Sequence, residues 1–244
     1  HLGVLNQDET IDLMLKFPKD WFNKHFPNDR NVLMFLTSRD ITEKSFELLI
    51  DKFEGDILDS VDYIGNSVLS LTVLFDKLSF AKRLVLKGIN INLKNKDKLS
   101  AFDIALQKIA ANSKNKNELL DFCELMIEKK YEFSEISIEN GKPVGRLNDF
   151  IKLEKEREAD ISKIISNLEP NNKMLLSLIH EDIKMIEKRL KESEVVDLLK
   201  TKPQNKEVYL RYAAVSNRKD VVEYLIKLLK PFNYDECSQT FKSF

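Results

Sequence analysis

The chain has 244 residues, of which 43% are hydrophobic, with 39 basic and 40 acidic side chains and a formal net charge of −1. That balance provides no long-range attraction to nucleic acid or to an anionic membrane. The longest apolar patch, around residues 68–75, falls far short of the roughly 20 residues that span a bilayer. Six glycines and six prolines leave few tight turns, and windows rich in Ala, Leu, Lys and Glu favour helix.

From the N-terminus, Asp8 is placed to cap a helix with Ile11, Leu13, Met14 and Leu15 on its apolar face. Pro18 ends that helix, and Trp21, Phe22, His25 and Phe26 follow as aromatic cover for the end of an array. From Arg30, two apolar clusters at 32–36 and 46–53 flank a polar stretch, which is a helix–turn–helix rhythm. The next unit is the clearest. Ser67 is an N-cap, and Leu69, Leu71, Val73 and Leu74 form a stripe. A second helix carries Ala81, Leu84 and Val85 up to Gly88, where the left-handed conformation costs glycine nothing.

Residues 94–98, all Lys, Asn or Asp, form a polar tip, and Ser100 with Asp103 gives a capping-box signature. Ser67 and Ser100 are 33 positions apart and open matching stretches, GNSVLSLTV and KLSAFDIAL. The second helix of this third unit arrives nine positions late if Met126 and Ile127 match Leu84 and Val85. The surplus falls in 109–117, a surface loop or an extended helix end. Further on, 141–146 (GKPVGR) lacks the spacing of a phosphate loop and reads as a turn entering a helix. The run 152–163 reads as a solvated helical face. Pro170 and Pro203 bracket two helices, at 173–179 and 182–190. A last unit spans 208–230, with Asn217 at its sharp turn, before a polar and aromatic tail.

These residues resemble the ankyrin family, whose unit opens G-x-T-P-L-H-x-A and closes L-L-x-x-G-A-d-v-N. Gly65, Ser67 and Leu69 match the opening, and Leu84, Val85, Gly88, Ile91 and Asn92 match the ending. Lys98, Ser100, Ala101 and Ala105 repeat the opening, and Leu210, Ala213, Ala214, Asn217, Val222 and Leu225 fit the helix pair again. The motif's proline is replaced by Val68 and Ala101, its histidine is absent, and Lys130 stands where a closing glycine is expected. The resemblance implies an all-α solenoid of helix-turn-helix repeats. Its parts are a helical N-terminal cap at 1–29, repeats at 30–135, an irregular helical region at 136–205, and a further helix pair and tail at 206–244. In the family, projecting turns and first helices line a concave surface that grips another protein. The matching positions here are Tyr63, Asn66, Ser70, Lys94, Lys96, Asp97 and Asp103. The composition, heavy in Lys, Asn, Ile and Leu, is similar to divergent ankyrin proteins of intracellular bacteria such as Legionella, of poxviruses and of protozoa. This implies an effector acting in a host cytoplasm.

The residues point away from chemistry. The three histidines, His1, His25 and His180, form no H-x-x-x-H pair, and two isolated cysteines build no zinc site. Cys123 sits in an apolar helical face as an inert thiol, and His180 packs or caps at a helix end. Cys123 and Cys237 read as reduced thiols of a cytosolic protein. No signal peptide is visible. The expectation is a non-enzymatic protein with no cofactor, no metal and no membrane insertion. It binds another protein rather than nucleic acid. The alternative is motivated by the start at His1: this is a fragment, the targeting part of a larger enzyme whose catalytic domain lies elsewhere in the chain.

Overall fold

A computed structural model describes residues 14–17, 27–39, 41–53, 57–111, 113–133, 137–139, 142–202 and 204–228. The expected Asp8-capped helix and its Pro18 stop, the aromatic cluster from Trp21 to Phe26, Cys237 and the tail beyond Pro231 lie outside these residues, apart from Met14 to Phe17. The described residues are helical, with thirteen α-helices and one short hairpin. They divide into two compact units, 1–132 and 133–244.

The first unit holds α1 (Val32–Thr37), α2 (Glu43–Lys52), α3 (Val68–Leu74), α4 (Leu78–Lys87), α5 (Ala101–Ala110) and α6 (Lys116–Glu128). The first helix of each pair starts on a side-chain cap. Asn31 accepts from the Met34 amide, Ser67 from Ser70, and Ser100 from Asp103. Each cap satisfies an amide that the first turn leaves without a partner. Helices of like rank then stack: α1 on α3 and α3 on α5 in one row, α2 on α4 and α4 on α6 in the other. Apolar spacing explains the two rows. Leu69, Leu71, Val73, Phe102, Ala105 and Leu106 are buried in the first, and Phe46, Leu49, Phe80, Leu84, Phe122 and Met126 in the second. Phe46 and Phe80 stack with ring centroids 4.0 Å apart, which locks α2 to α4.

Two closing turns repeat. Gly88 ends α4 at φ 84°, and Lys130 follows α6 at φ 65°. Lysine therefore takes the left-handed turn in which the resemblance called for glycine. The turn after each is tied to the pair before it. Asp59 Oδ1 accepts the Asn90 amide at 2.8 Å, and Asn92 Oδ1 accepts the Glu132 amide at 2.9 Å. The nine-residue surplus of the third pair is mostly helix. α5 has 10 residues against 7 in α3, and α6 has 13 against 10 in α4.

The second unit opens with an antiparallel hairpin, β1 (Ser137–Glu139) and β2 (Lys142–Val144), that leads through Gly145 into α7 (Arg146–Glu156). Within the turn expected at 141–146, residues 142–144 are the second arm of a hairpin, and Gly145 leads into a helix as expected. Then come α8 (Ile161–Ser166), α9 (Pro170–His180), α10 (Ile183–Leu190), α11 (Ser193–Thr201), α12 (Asn205–Val215) and α13 (Lys219–Leu228). The charged run at 152–163 is not one helical face. The chain turns at Glu158 (φ 60°) between α7 and α8, and Glu154 is buried with its carboxylate 2.9 Å from Arg157 Nη2. The pairs α9–α10 and α12–α13 repeat the stacking of the first unit, α9 on α12 and α10 on α13. Asn217 makes the α12–α13 turn at φ 55°, as its residue type suggested. α11, which the sequence did not announce, packs against both α9 and α10.

Candidate functional site

Two polar turns of the first unit are built the same way, 33 residues apart. In the first, the Asp62 amide donates to the Asn66 carbonyl (2.9 Å), and Asp62 Oδ1 accepts from the Ile64 and Asn66 amides (3.0 and 2.8 Å). In the second, the Asn95 amide donates to the Leu99 carbonyl (2.9 Å), and Asn95 Oδ1 accepts from the Asp97 and Leu99 amides (3.0 Å each). An Asp or Asn side chain folded onto amides two and four residues ahead makes the turn without help from a neighbour. The tightest position falls on Gly65 (φ 90°) and on Lys98 (φ 60°).

The turns are laddered. Lys96 donates its amide to the Ile64 carbonyl at 3.0 Å, and Tyr63 donates in the same way to Asn28 at 3.0 Å. Asn95 Nδ2 reaches Asn66 Oδ1 at 3.0 Å, adding a side-chain rung. The turns come so close that a Cβ on Gly65 would lie 3.1 Å from Asn95 Cα and from the Lys96 nitrogen.

The seven sequence-predicted contact residues divide into two groups. Tyr63 is 50% exposed, and Lys94, Lys96 and Asp97 are exposed around it. Asn66, Ser70 and Asp103 are 8%, 2% and 7% exposed and are not available to a partner. Asn66 holds the rung to Asn95, and Ser70 donates its amide to the Ser67 cap. Asp103 Oδ2 accepts from the Ser100 amide (2.9 Å) and hydroxyl (2.8 Å), closing the capping box. The first helix between these turns, α3, is not an open contact surface either, because it is buried through 68–73 and exposes only Leu74. What the turns present is a patch of Tyr63, Lys94, Lys96, Asp97 and Lys98, with more positive than negative charge. Sequence reasoning missed Asp62 and Asn95, the residues that build the turns. Their signal was an Asp and an Asn at the same offset before the two serine caps.

The second unit is organised by buried charge. Arg189 Nη2 and Nε meet the two oxygens of Glu181 at 3.1 and 3.3 Å, Nη1 meets Glu192 at 3.0 Å, and Nη2 also donates to the Ser162 carbonyl at 2.9 Å. Lys173 Nζ donates to Glu192 at 3.1 Å. Burial alone would push Glu192 up, but the bonds from Arg189 and Lys173 hold its carboxyl below the ordinary range. This network, which Glu194 joins 3.5 Å from Lys173, ties α9 to α10 and α11. His180 ends α9, as expected, with Nε2 donating to Asn148 Oδ1 on α7 at 3.1 Å. Cys123 is fully buried on α6.

Among the described residues, no group of three or more His, Cys, Asp or Glu side chains could hold a metal ion, and no helix is long and apolar enough to cross a membrane. The shallow grooves between α2 and α4 are lined by Glu47, Asp51, Arg83 and Lys87, which pair across them as Arg83–Glu47 and Lys87–Asp51. No protein-family model and no curated protein matches the chain.

Proposed function

We propose that the protein is a recognition module for another protein, built on an ankyrin-like solenoid, with its contact surface on the projecting turns of the first unit. The observation that carries this reading is the turn ladder. Backbone rungs from Asn28 to Tyr63 and from Ile64 to Lys96 set Tyr63, Lys94, Lys96 and Asp97 outward on a preorganised edge. Preorganisation lowers the ordering cost of binding, and an exposed tyrosine among charges is a composition that recognition surfaces favour. The excess of lysine fits a partner surface rich in carboxylates. The even stacking of helix pairs, and the left-handed turns at Gly88 and Lys130, support the ankyrin-like reading of the scaffold. The compositional resemblance extends the proposal to an effector that meets its partner in a host cytoplasm.

The test is affinity capture from eukaryotic lysate, with the wild type run beside a Tyr63→Ala/Lys94→Glu/Asp97→Lys variant whose circular dichroism matches it. A partner retained by the wild type and lost by the variant is the expected result. Equal recovery by both would remove the turns from the proposal.

A further inference from the structure

The hairpin of the second unit has one edge open to a further strand and one edge closed to it. Its register pairs Ser137 with Val144, Ile138 with Pro143 and Glu139 with Lys142. Proline has no N–H, so the 138–143 pair is not one that exchanges two backbone bonds. Antiparallel pairs alternate, and the bonds of the hairpin therefore lie at 137–144 and 139–142. The N–H and C=O of Ile138 consequently point away from β2, along the outer edge of β1. On the outer edge of β2 the matching donor is missing, because that position is Pro143.

Among the described residues the sheet has these two strands only, and no backbone group bonds the Ile138 amide. α7 and α12 pack on β2. Ser137 and Glu139, on either side of Ile138, are exposed. An edge with an outward N–H and an outward C=O on one residue is complementary to itself. Two copies of β1 running antiparallel, with a two-fold axis through the paired 138 positions, satisfy all four groups. No other register within β1 does so, since the amides of Ser137 and Glu139 are turned inward to β2. That register also sets Ser137 opposite Glu139 of the second copy, in the closer type of antiparallel pair. Each carboxylate therefore meets a hydroxyl rather than a like charge.

We infer that the free edge of β1 is a dimerisation surface, which pairs with the same edge of a second copy of this chain to make a four-stranded sheet. Pro143 limits the assembly. A contact from β1 to β2 would repeat from copy to copy as a filament, and the missing donor on β2 opposes it. The contact from β1 to β1 closes after two copies. An edge of three residues buries less than a stable interface does, so the dimer is weak and forms at high concentration. The inference is independent of the turn edge of the first unit.

The test is sedimentation velocity of the full chain between about 20 μM and about 1 mM, run beside three variants. The wild type should shift from monomer towards dimer across this range. Ile138→Pro removes the outward donor and none of the hairpin's own bonds, and it should stay monomeric. Ser137→Glu, at an exposed position, sets like charges opposite each other twice per dimer and should weaken association about five-fold. Ser137→Lys places opposite charges there and should strengthen it by about the same factor. Both effects should shrink in about 0.5 M sodium chloride. A wild type that remains monomeric up to about 1 mM would overturn the inference. So would a dimer that Ile138→Pro and both Ser137 variants leave unchanged.

Discussion

Gly65 and Gly88 both sit at positive φ, 90° and 84°, yet their surroundings differ. A Cβ at Gly65 meets the backbone of Asn95 and Lys96 at 3.1 Å, whereas a Cβ at Gly88 meets nothing within 4 Å. Both alanine variants carry the left-handed penalty of roughly 1–2 kcal/mol, but only Gly65→Ala must also spread two laddered turns. Urea denaturation should therefore show a larger loss of stability for Gly65→Ala than for Gly88→Ala. The second residue-scale prediction concerns acid. His180 has its ring held at about 4 by burial and by Lys155, Lys152 and Arg218, against an ordinary 6.5. The unfolded chain thus takes up a proton over this interval that the folded chain refuses. Stability from this group is complete above pH 6.5, falls as the pH drops towards 4, and is level below that. In chloride buffer, His180→Gln should flatten the fall in denaturation midpoint between pH 6.5 and 5.

At the scale of elements, the buried Glu181–Arg189 pair tests how α9 and α10 are held. Arg189→Met leaves the Glu181 carboxylate buried without its partner and should cost about 3–5 kcal/mol. A Glu181→Gln/Arg189→Met double variant should recover much of that, because no charge remains stranded. Equal losses in the two proteins, read by chemical denaturation, would show that the pair contributes packing alone. The elements also show what the sequence makes legible. Ser67 and Ser100 were readable as caps because capping depends on residues within one helical turn. Asn217 was readable as a turn because asparagine tolerates the left-handed region. The break at Glu158 was not readable, since a glutamate at φ 60° carries no local signature and the charges around it continue a helical pattern. The short helix α11 was missed although Val195, Val196, Leu198 and Leu199 stand at helical spacing; of its residues only Val195 is buried. In the candidate site, residue type suggested polar exposure for Asn66, Ser70 and Asp103. Ser70 and Asp103 instead bond within the first turn of their own helices, to Ser67 and Ser100, whereas Asn66 bonds across to Asn95, and only packing against the neighbouring pair decides that.

For the whole molecule, the division into two compact units means that the core around Phe46, Phe80, Phe102 and Phe122 is made within residues 1–132. A chain of residues 1–132 should fold alone, with cooperative thermal unfolding and dispersed amide resonances. Within it, Phe46→Ala, which empties the α2–α4 stack, should cost about 3–5 kcal/mol. Non-cooperative melting of the 1–132 chain would show that this core depends on residues beyond it.

The turn ladder separates what holds the edge from what the edge displays. Its rungs are main-chain bonds and the Asn95–Asn66 side-chain pair, and Asp62 and Asn95 close the turns themselves, while Tyr63, Lys94, Lys96 and Asp97 take no side-chain part in them. Selection can therefore rewrite those four positions with little penalty to folding. The scaffold is in this sense evolvable: one lineage could retarget the edge repeatedly while Asp62, Gly65, Asn95 and the serine caps stayed fixed.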